Sequence, residues 1–207
     1  ELLKTFASPI IMLFLGGFFL AIAATKYRLD RNLARVLLRP FGNDPRFVML
    51  GLMMITAVFS MFMSNTATTA LMLAILAPVM KLFKPDDPAR FAFILSIPLA
   101  ANIGGVGTPI GTPPNAVAMK YLVGENAISF SEWMMFGIPL ALMLLVITWL
   151  LLIILNPPKD KHMDLVIEGS FMSSWKAWVV YLIFASTIFL WLTGKLHGLN
   201  SYDIAVE

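Results

Sequence analysis

Two short polar clusters interrupt stretches of this chain that are otherwise apolar, and their residue types suit ion binding. Ser60, Ser64, Asn65 and Thr66 stand inside Phe47 to Met80, while Gly111, Thr112, Pro113, Pro114 and Asn115 stand inside Phe91 to Val123. Ser60 and Ser64 are four residues apart, a spacing that places both hydroxyls on one helix face. Asn65 and Thr66 then fall at a tip between two arms, where either side chain can cap a returning helix that starts near Ala67. A helix ending at such a tip presents carbonyls, which suit a cation. A helix beginning there presents N–H groups and about half a positive charge, which suit a carboxylate. In the second cluster Gly104, Gly105, Gly107 and Gly111 allow unwound backbone with exposed carbonyls. Thr112 reads as an N-cap, with Pro113 at the first helical position and Asn115 in the first turn. Carbonyls together with Ser and Asn oxygens make the donor set of a cage for a dehydrated alkali cation.

The elements that carry these clusters read as membrane helices. The chain has 207 residues, of which 59% are hydrophobic and 13% charged, about half the charged share of a soluble domain. Mean hydropathy is +0.83. The expected fold class is an all-α polytopic membrane protein. Backbone that leaves the helix at membrane depth is tolerated only where it is buried in protein or lines a cavity. Paired broken helices are the sequence mark of a midplane substrate site in a secondary transporter. A lone Ser or Thr in such a helix is ordinarily a packing residue, and Thr68 and Thr69 are read that way. Two clustered breaks are not, because each unpaired backbone group in lipid costs several kcal/mol. Asn102 is compatible with lining the site or with capping the first half-helix. With no Cys, disulfides, thiolate metal sites and Cys nucleophiles are excluded. No residue chained to a base partner suggests an intramembrane hydrolase, and Gly104 to Gly107 lacks the basic residue and βαβ setting of a nucleotide loop. The chain is read as a transporter and not an enzyme.

Charge sets the map. Phe6 to Thr25 makes one span, followed by an amphipathic interfacial helix from Lys26 to Arg39, and residues 1–46 are read as scaffold. Residues 47–133 are read as part of a transport domain. Phe47 to Met80 is too long for one upright crossing and is basic at both flanks, so it predicts a re-entrant hairpin (47–80) with both ends in the cytoplasm. A broken helix over 91–123 crosses outward, and Met134 to Leu155 returns. An amphipathic link over about His162 to Lys176 closes the 134–176 unit, and Ala177 to Leu196 opens a truncated second repeat over 177–207. Twelve Lys and Arg fall inside and three outside on this map, which accounts for the pI near 9.3 by topology and not by nucleic acid. Trp133, Trp175, Trp178 and Trp191 are expected near the two interfaces, and His162 and His197 are read as solvated. The chain opens without a cleavable signal sequence and is expected to begin inside a larger protein.

No acidic residue lies between Asp44 and Asp86, or between Asp87 and Glu125, which argues against an intramembrane proton relay. Neutral oxygens leave a bound sodium ion uncompensated, so an anionic substrate at the same helix tips is expected to supply the missing charge.

The stretch Leu29 to Ala34, the Ser64-Asn65-Thr66 motif and the Gly111-Thr112-Pro113-Pro114-Asn115 motif follow one another as in a known family. Over nearly its whole length the chain resembles the divalent anion/sodium symporter family of di- and tricarboxylate transporters, and specifically the N-terminal repeat of one. The resemblance implies half of an inverted-repeat transporter that works as a homodimer by an elevator motion in the plasma (inner) membrane. It implies sodium ligation by Ser60, Ser64, Asn65 and Gly111. It implies contact of a substrate carboxylate with Asn65, Thr66, Thr112 and Pro113, where Thr112 stands for a Ser common in the family. The expected partners are Na+, a di- or tricarboxylate, the lipid bilayer and a second copy, with no nucleic acid. A second Ser-Asn-Thr motif is absent, so the chain is expected to hold half a site and not to transport alone. Succinate, malate, fumarate, citrate and sulfate all fit as the anion. The alternatives are an arsenite exporter or sodium/proton antiporter of the same broad group, and a non-transport membrane assembly subunit whose glycines serve packing.

Overall fold

A computed structural model describes residues 9–29, 41–122, 124, 127–160, 173–197 and 204. Among these the regular structure is helical throughout. The helices are α1 (Pro9–Lys26), α2 (Pro45–Ser60), α3 (Asn65–Met80), α4 (Ala89–Gly105), α5 (Pro113–Tyr121), α6 (Phe130–Leu155), α7 (Trp175–Leu192) and the single turn α8 (Gly194–His197). Among the described residues α6 and α7 are long and apolar enough to cross a membrane. The predicted first span is represented by α1. The amphipathic stretches around Arg31 to Arg39 and His162 to Met172 lie outside the described residues.

Both breaks are present, and both are narrower than the sequence suggests. α2 and α3 have 16 residues each and are separated by 61–64 alone. Ser64, not Asn65 or Thr66, is the N-cap of α3: its Oγ accepts the Ala67 N–H at 3.2 Å. Ser60 therefore ends one helix and Ser64 precedes the next, so the two do not share a helix face. In the second break Asn102 to Gly105 remain helical, and the chain unwinds only over 106–112. Gly104 and Gly105 thus do not supply unwound backbone. A Cβ on Gly104 would overlap the backbone of Ala57, so this residue is small because α2 and α4 touch main chain to main chain. Small residues at such crossings are how apolar helices approach closely without a solvent-driven force between them.

α4 lies at the centre of the fold and packs on α2, α3 and α6. The shared core runs from Val48, Met49, Leu52, Met53 and Phe59 through Met72, Leu76, Phe93 and Ile97 to Leu145 and Leu152. α1 and α7 pack on each other at one side, joined by the Tyr181 hydroxyl donating to Tyr27 O at 2.8 Å.

α6 braces the pair of broken helices at two depths. The Trp133 indole N–H donates to Val106 O in the unwound segment at 2.9 Å. The Trp149 indole N–H donates to Arg46 O at the start of α2, also at 2.9 Å. These tryptophans are 16 residues apart, about 24 Å along a helix, which equals the length of each arm. Trp133 and Trp191 are buried within the protein, at 7% and 2% exposure, and Trp191 stacks on Phe130 with centroids 4.9 Å apart. Trp175 and Trp178 are exposed. α6 also begins at Phe130, four residues before the expected Met134. Ser129 and Glu132 form a capping box there, satisfying two first-turn donors reciprocally.

The far ends meet at a cluster of charges. Lys159 Nζ lies 2.6 Å from Asp86 Oδ2, and Lys84 Nζ lies 3.4 Å from Asp160 Oδ1. Between these pairs Asp87, 4% exposed, accepts the Ala89 N–H at 2.9 Å and the Lys159 N–H at 3.3 Å. The turn from α3 to α4 is thereby held against the segment after α6.

Candidate functional site

The two breaks face each other. Thr108, fully buried in the unwound segment, donates its hydroxyl to Met61 O in the turn between α2 and α3. Asn115, in the first turn of α5 and 7% exposed, donates its amide to Gly105 O and to Thr108 O, each at 2.8 Å. One buried amide thus ties the end of α4 to the middle of the loop and fixes the loop's shape. Asn115 was read as part of the first turn only, and its role as the fastener was missed. The signal available was an amide in the first turn of a helix beside a glycine-rich loop, where a side-chain donor can reach the loop's free carbonyls.

Asn65 is the junction. Its Oδ1 accepts the Ser60 hydroxyl at 2.7 Å, and its Nδ2 donates to Asn102 Oδ1 at 3.1 Å. A Cβ on Gly105 would lie 2.7 Å from Asn65 Oδ1 and 3.2 Å from Gly111 O. The Asn65 oxygen and the Gly111 carbonyl therefore flank one point beside Gly105. Gly111 is buried, and its carbonyl has no hydrogen-bond partner among the described residues. Ser60 is also fully buried. Three neutral oxygens thus converge from a helix end, a helix start and an unwound strand of backbone, a donor set that suits an alkali cation. Ser64 is one residue from Asn65 but exposed, and its hydroxyl is engaged by Ala67 N.

On its other side Asn65 lines an open cavity of about 340 Å³ with Thr66, Thr69, Ala70, Leu73 and Asn102. Asn65, Thr66, Thr69, Ala70 and Leu73 recur at the spacing of one face of α3. Thr69, assigned to packing from sequence, belongs to this wall. Thr68, one residue earlier, is fully buried. The N–H groups of Asn65 and Thr66 are first-turn donors without a partner among the described residues. Thr112 is the N-cap residue of α5, although its hydroxyl makes no capping bond, and Pro113 follows it. Thr112 and Pro113 do not line the Asn65 cavity. They are brought to it only through Gly111, their neighbour in sequence.

Comparison with known proteins agrees on one type of molecule. Residues 1–200 match the family model described as citrate transporter (CitMHS). The chain is 32% identical over 214 residues to the sodium-dependent dicarboxylate transporter SdcS of Staphylococcus saprophyticus, covering 93% of this chain and 41% of that protein. It is 35% identical over 170 residues to the sodium-dependent high-affinity dicarboxylate transporter 3 of Caenorhabditis elegans, covering 72% of this chain and 30% of that protein. An uncharacterized transporter of Haemophilus influenzae is 33% identical over 201 residues, or 95% of this chain and 42% of the relative. The chain spans less than half the length of each of these relatives.

Proposed function

Because the chain belongs to the citrate transporter family, we propose that it forms one half of a secondary transporter that carries a di- or tricarboxylate of the succinate, malate, fumarate or citrate class together with Na+. The observation that carries this reading is the two-sided use of Asn65. Its oxygen stands with Ser60 and Gly111 on the cation side, and its amide edge stands with Thr66 on the cavity side. Ser64 completes the cation ligands once its hydroxyl turns from Ala67, and Thr112 and Pro113 approach the same carboxylate from the α5 side. A cation and an anion bound across one amide neutralise each other where no acidic or basic side chain does so. The sodium-dependent relatives support Na+ as the coupled ion.

We read α2 and α3 as a re-entrant hairpin. Each arm is about 24 Å long, short of the ~30 Å hydrocarbon core. The base of both arms lies at the Trp149 to Asp160 end of α6, while the tip lies near Trp133. The packing of α2, α3 and α6 around α4, with α1 and α7 pairing at one side and touching α5 and α6, supports an elevator motion of the first group against the second. The homodimer and the plasma-membrane location enter on the family alone.

The test is uptake of labelled succinate into proteoliposomes holding the complete polypeptide, with a sodium gradient or with potassium in its place. Uptake that needs sodium is expected. Equal uptake in both salts refutes the coupling, and no uptake of succinate, citrate or sulfate in either salt refutes the function.

A further inference from the structure

The geometry points to Asn102 as a further anion-recognising residue, one that also orients Asn65. This inference rests on the reading of the Asn65 cavity as the substrate site. Asn102 sits in the last turn of α4, from which its side chain lines the same cavity wall as Asn65, Thr66 and Thr69. Its Oδ1 accepts the Asn65 amide at 3.1 Å. A side-chain amide has one acceptor oxygen and one nitrogen with two donor hydrogens. With the oxygen committed to Asn65, the Asn102 nitrogen remains; it has no partner among the described residues, and the residue is exposed to the cavity.

The arrangement Ser60, Asn65, Asn102 is directional. Ser60 donates to the Asn65 oxygen, and the Asn65 nitrogen donates to Asn102. Asn102 therefore holds the Asn65 oxygen toward Ser60 and Gly111, the side that suits a cation. It adds its own N–H donors on the side that suits an anion. In the described part of the cavity wall the polar groups are two amides and two hydroxyls, without a basic side chain. A carboxylate is recognised there by hydrogen bonds from neutral donors, so each donor lost is felt.

Asn102→Asp separates the two duties. The substitution keeps size and keeps an acceptor for Asn65, but removes the N–H donors and puts a carboxylate in the wall. The complete polypeptide is compared in native and variant form, reading the KM for labelled succinate and the sodium-induced shift in unfolding temperature without anion. The expected result is at least a tenfold rise in KM with the sodium shift retained. Asn102→Ser, too short to reach either the anion or Asn65, is expected to raise KM and to weaken the sodium shift as well, and serves if the Asp variant does not fold. A KM within twofold of native in the folded variant overturns the inference while leaving the transporter reading intact. Loss of the sodium shift in Asn102→Asp, which keeps the acceptor for Asn65, also overturns it, since that marks a purely structural role. Sodium-independent behaviour or absence of uptake in the native protein overturns the reading on which it rests, and the inference with it.

Discussion

A side-chain amide carries an acceptor and a donor at the two ends of one rigid plane, and Asn65 uses both at the point where two helix breaks meet. Asn65→Ala removes them together. Sodium half-saturation and succinate KM should each rise about tenfold or more, as for loss of a hydrogen bond to a charged group worth roughly 1.5–3 kcal/mol; a variant with both constants unchanged would contradict the site. Gly104 makes a contrasting case. At an exposed helix position Gly→Ala gains about 1 kcal/mol from propensity. At Gly104 the new methyl would meet the Ala57 backbone, and overpacking costs about 1–3 kcal/mol. Gly104→Ala should therefore lower the unfolding temperature in detergent, where an exposed glycine would raise it. Ser60 and Asn65 could be singled out from sequence because hydroxyls and amides are conspicuous among apolar neighbours, whereas Gly111 as a ligand entered through the family resemblance. The part played by Asn102, left open between lining and capping, depends on which residue of another helix lies opposite, and a spacing along one helix does not contain that.

At the scale of elements, the ends are fixed by local chemistry more than by hydropathy. Asp87 bonds the Ala89 N–H at the start of α4 and the Lys159 N–H beyond α6. Asp87→Ala should destabilise by about 1.5–3 kcal/mol, the ordinary cost of lost hydrogen bonds to a charged group, measured by thermal unfolding. Beside it, the Lys159 hydrogen bond holds the Asp86 carboxyl below its usual range, and Asp86 in turn raises Lys159. The depressed Asp86 contributes stability that is present at neutral pH and is lost as pH falls through its lowered value. The raised Lys159 contributes stability that is present at neutral pH and is lost as pH rises through its elevated value. The difference in unfolding temperature between native protein and Lys159→Ala should be small, flat across neutral pH, and should vanish at both extremes. Both groups are exposed, so added salt should shrink it as well. The helices themselves were legible as apolar runs. Their boundaries shifted because hydropathy does not record caps: Ser64 starts α3 earlier than its neighbours suggest, and the Ser129 and Glu132 pair carries α6 back to Phe130.

For the molecule as a whole, the division of packing decides what can move. Phe62 in the turn between α2 and α3 meets Phe184 on α7 with ring centroids 6.0 Å apart, a contact that links the central group of helices to α7. Lys84 and Asp160 meet within the central group. The chain has no Cys, so an engineered pair reports alone. Joining Phe62→Cys to Phe184→Cys with a short thiol-reactive linker should stop uptake, with recovery on reduction. Joining Lys84→Cys to Asp160→Cys should leave it. Equal effects of the two linkers would refute relative motion of the groups. The all-helical class and the number of breaks followed from composition and pattern. Which long apolar helix packs on α4 did not, because the faces of an apolar helix look alike in sequence: α6 and α7 are both apolar enough to cross a membrane, yet it is α6 that packs extensively on α4.

Pro113 and Pro114 open α5 with two consecutive residues that lack an N–H. The start of α5 therefore offers no N–H from its first two residues, whereas α3 offers them at Asn65 and Thr66. On the proposed reading, a carboxylate between them would be aligned by backbone N–H groups from the α3 side and by the Thr112 hydroxyl from the α5 side. The tilt of such a ligand would then be set mainly by the start of α3, and acids that differ in length or branching beyond that first carboxylate would meet a single directional contact, Thr112, from the α5 side.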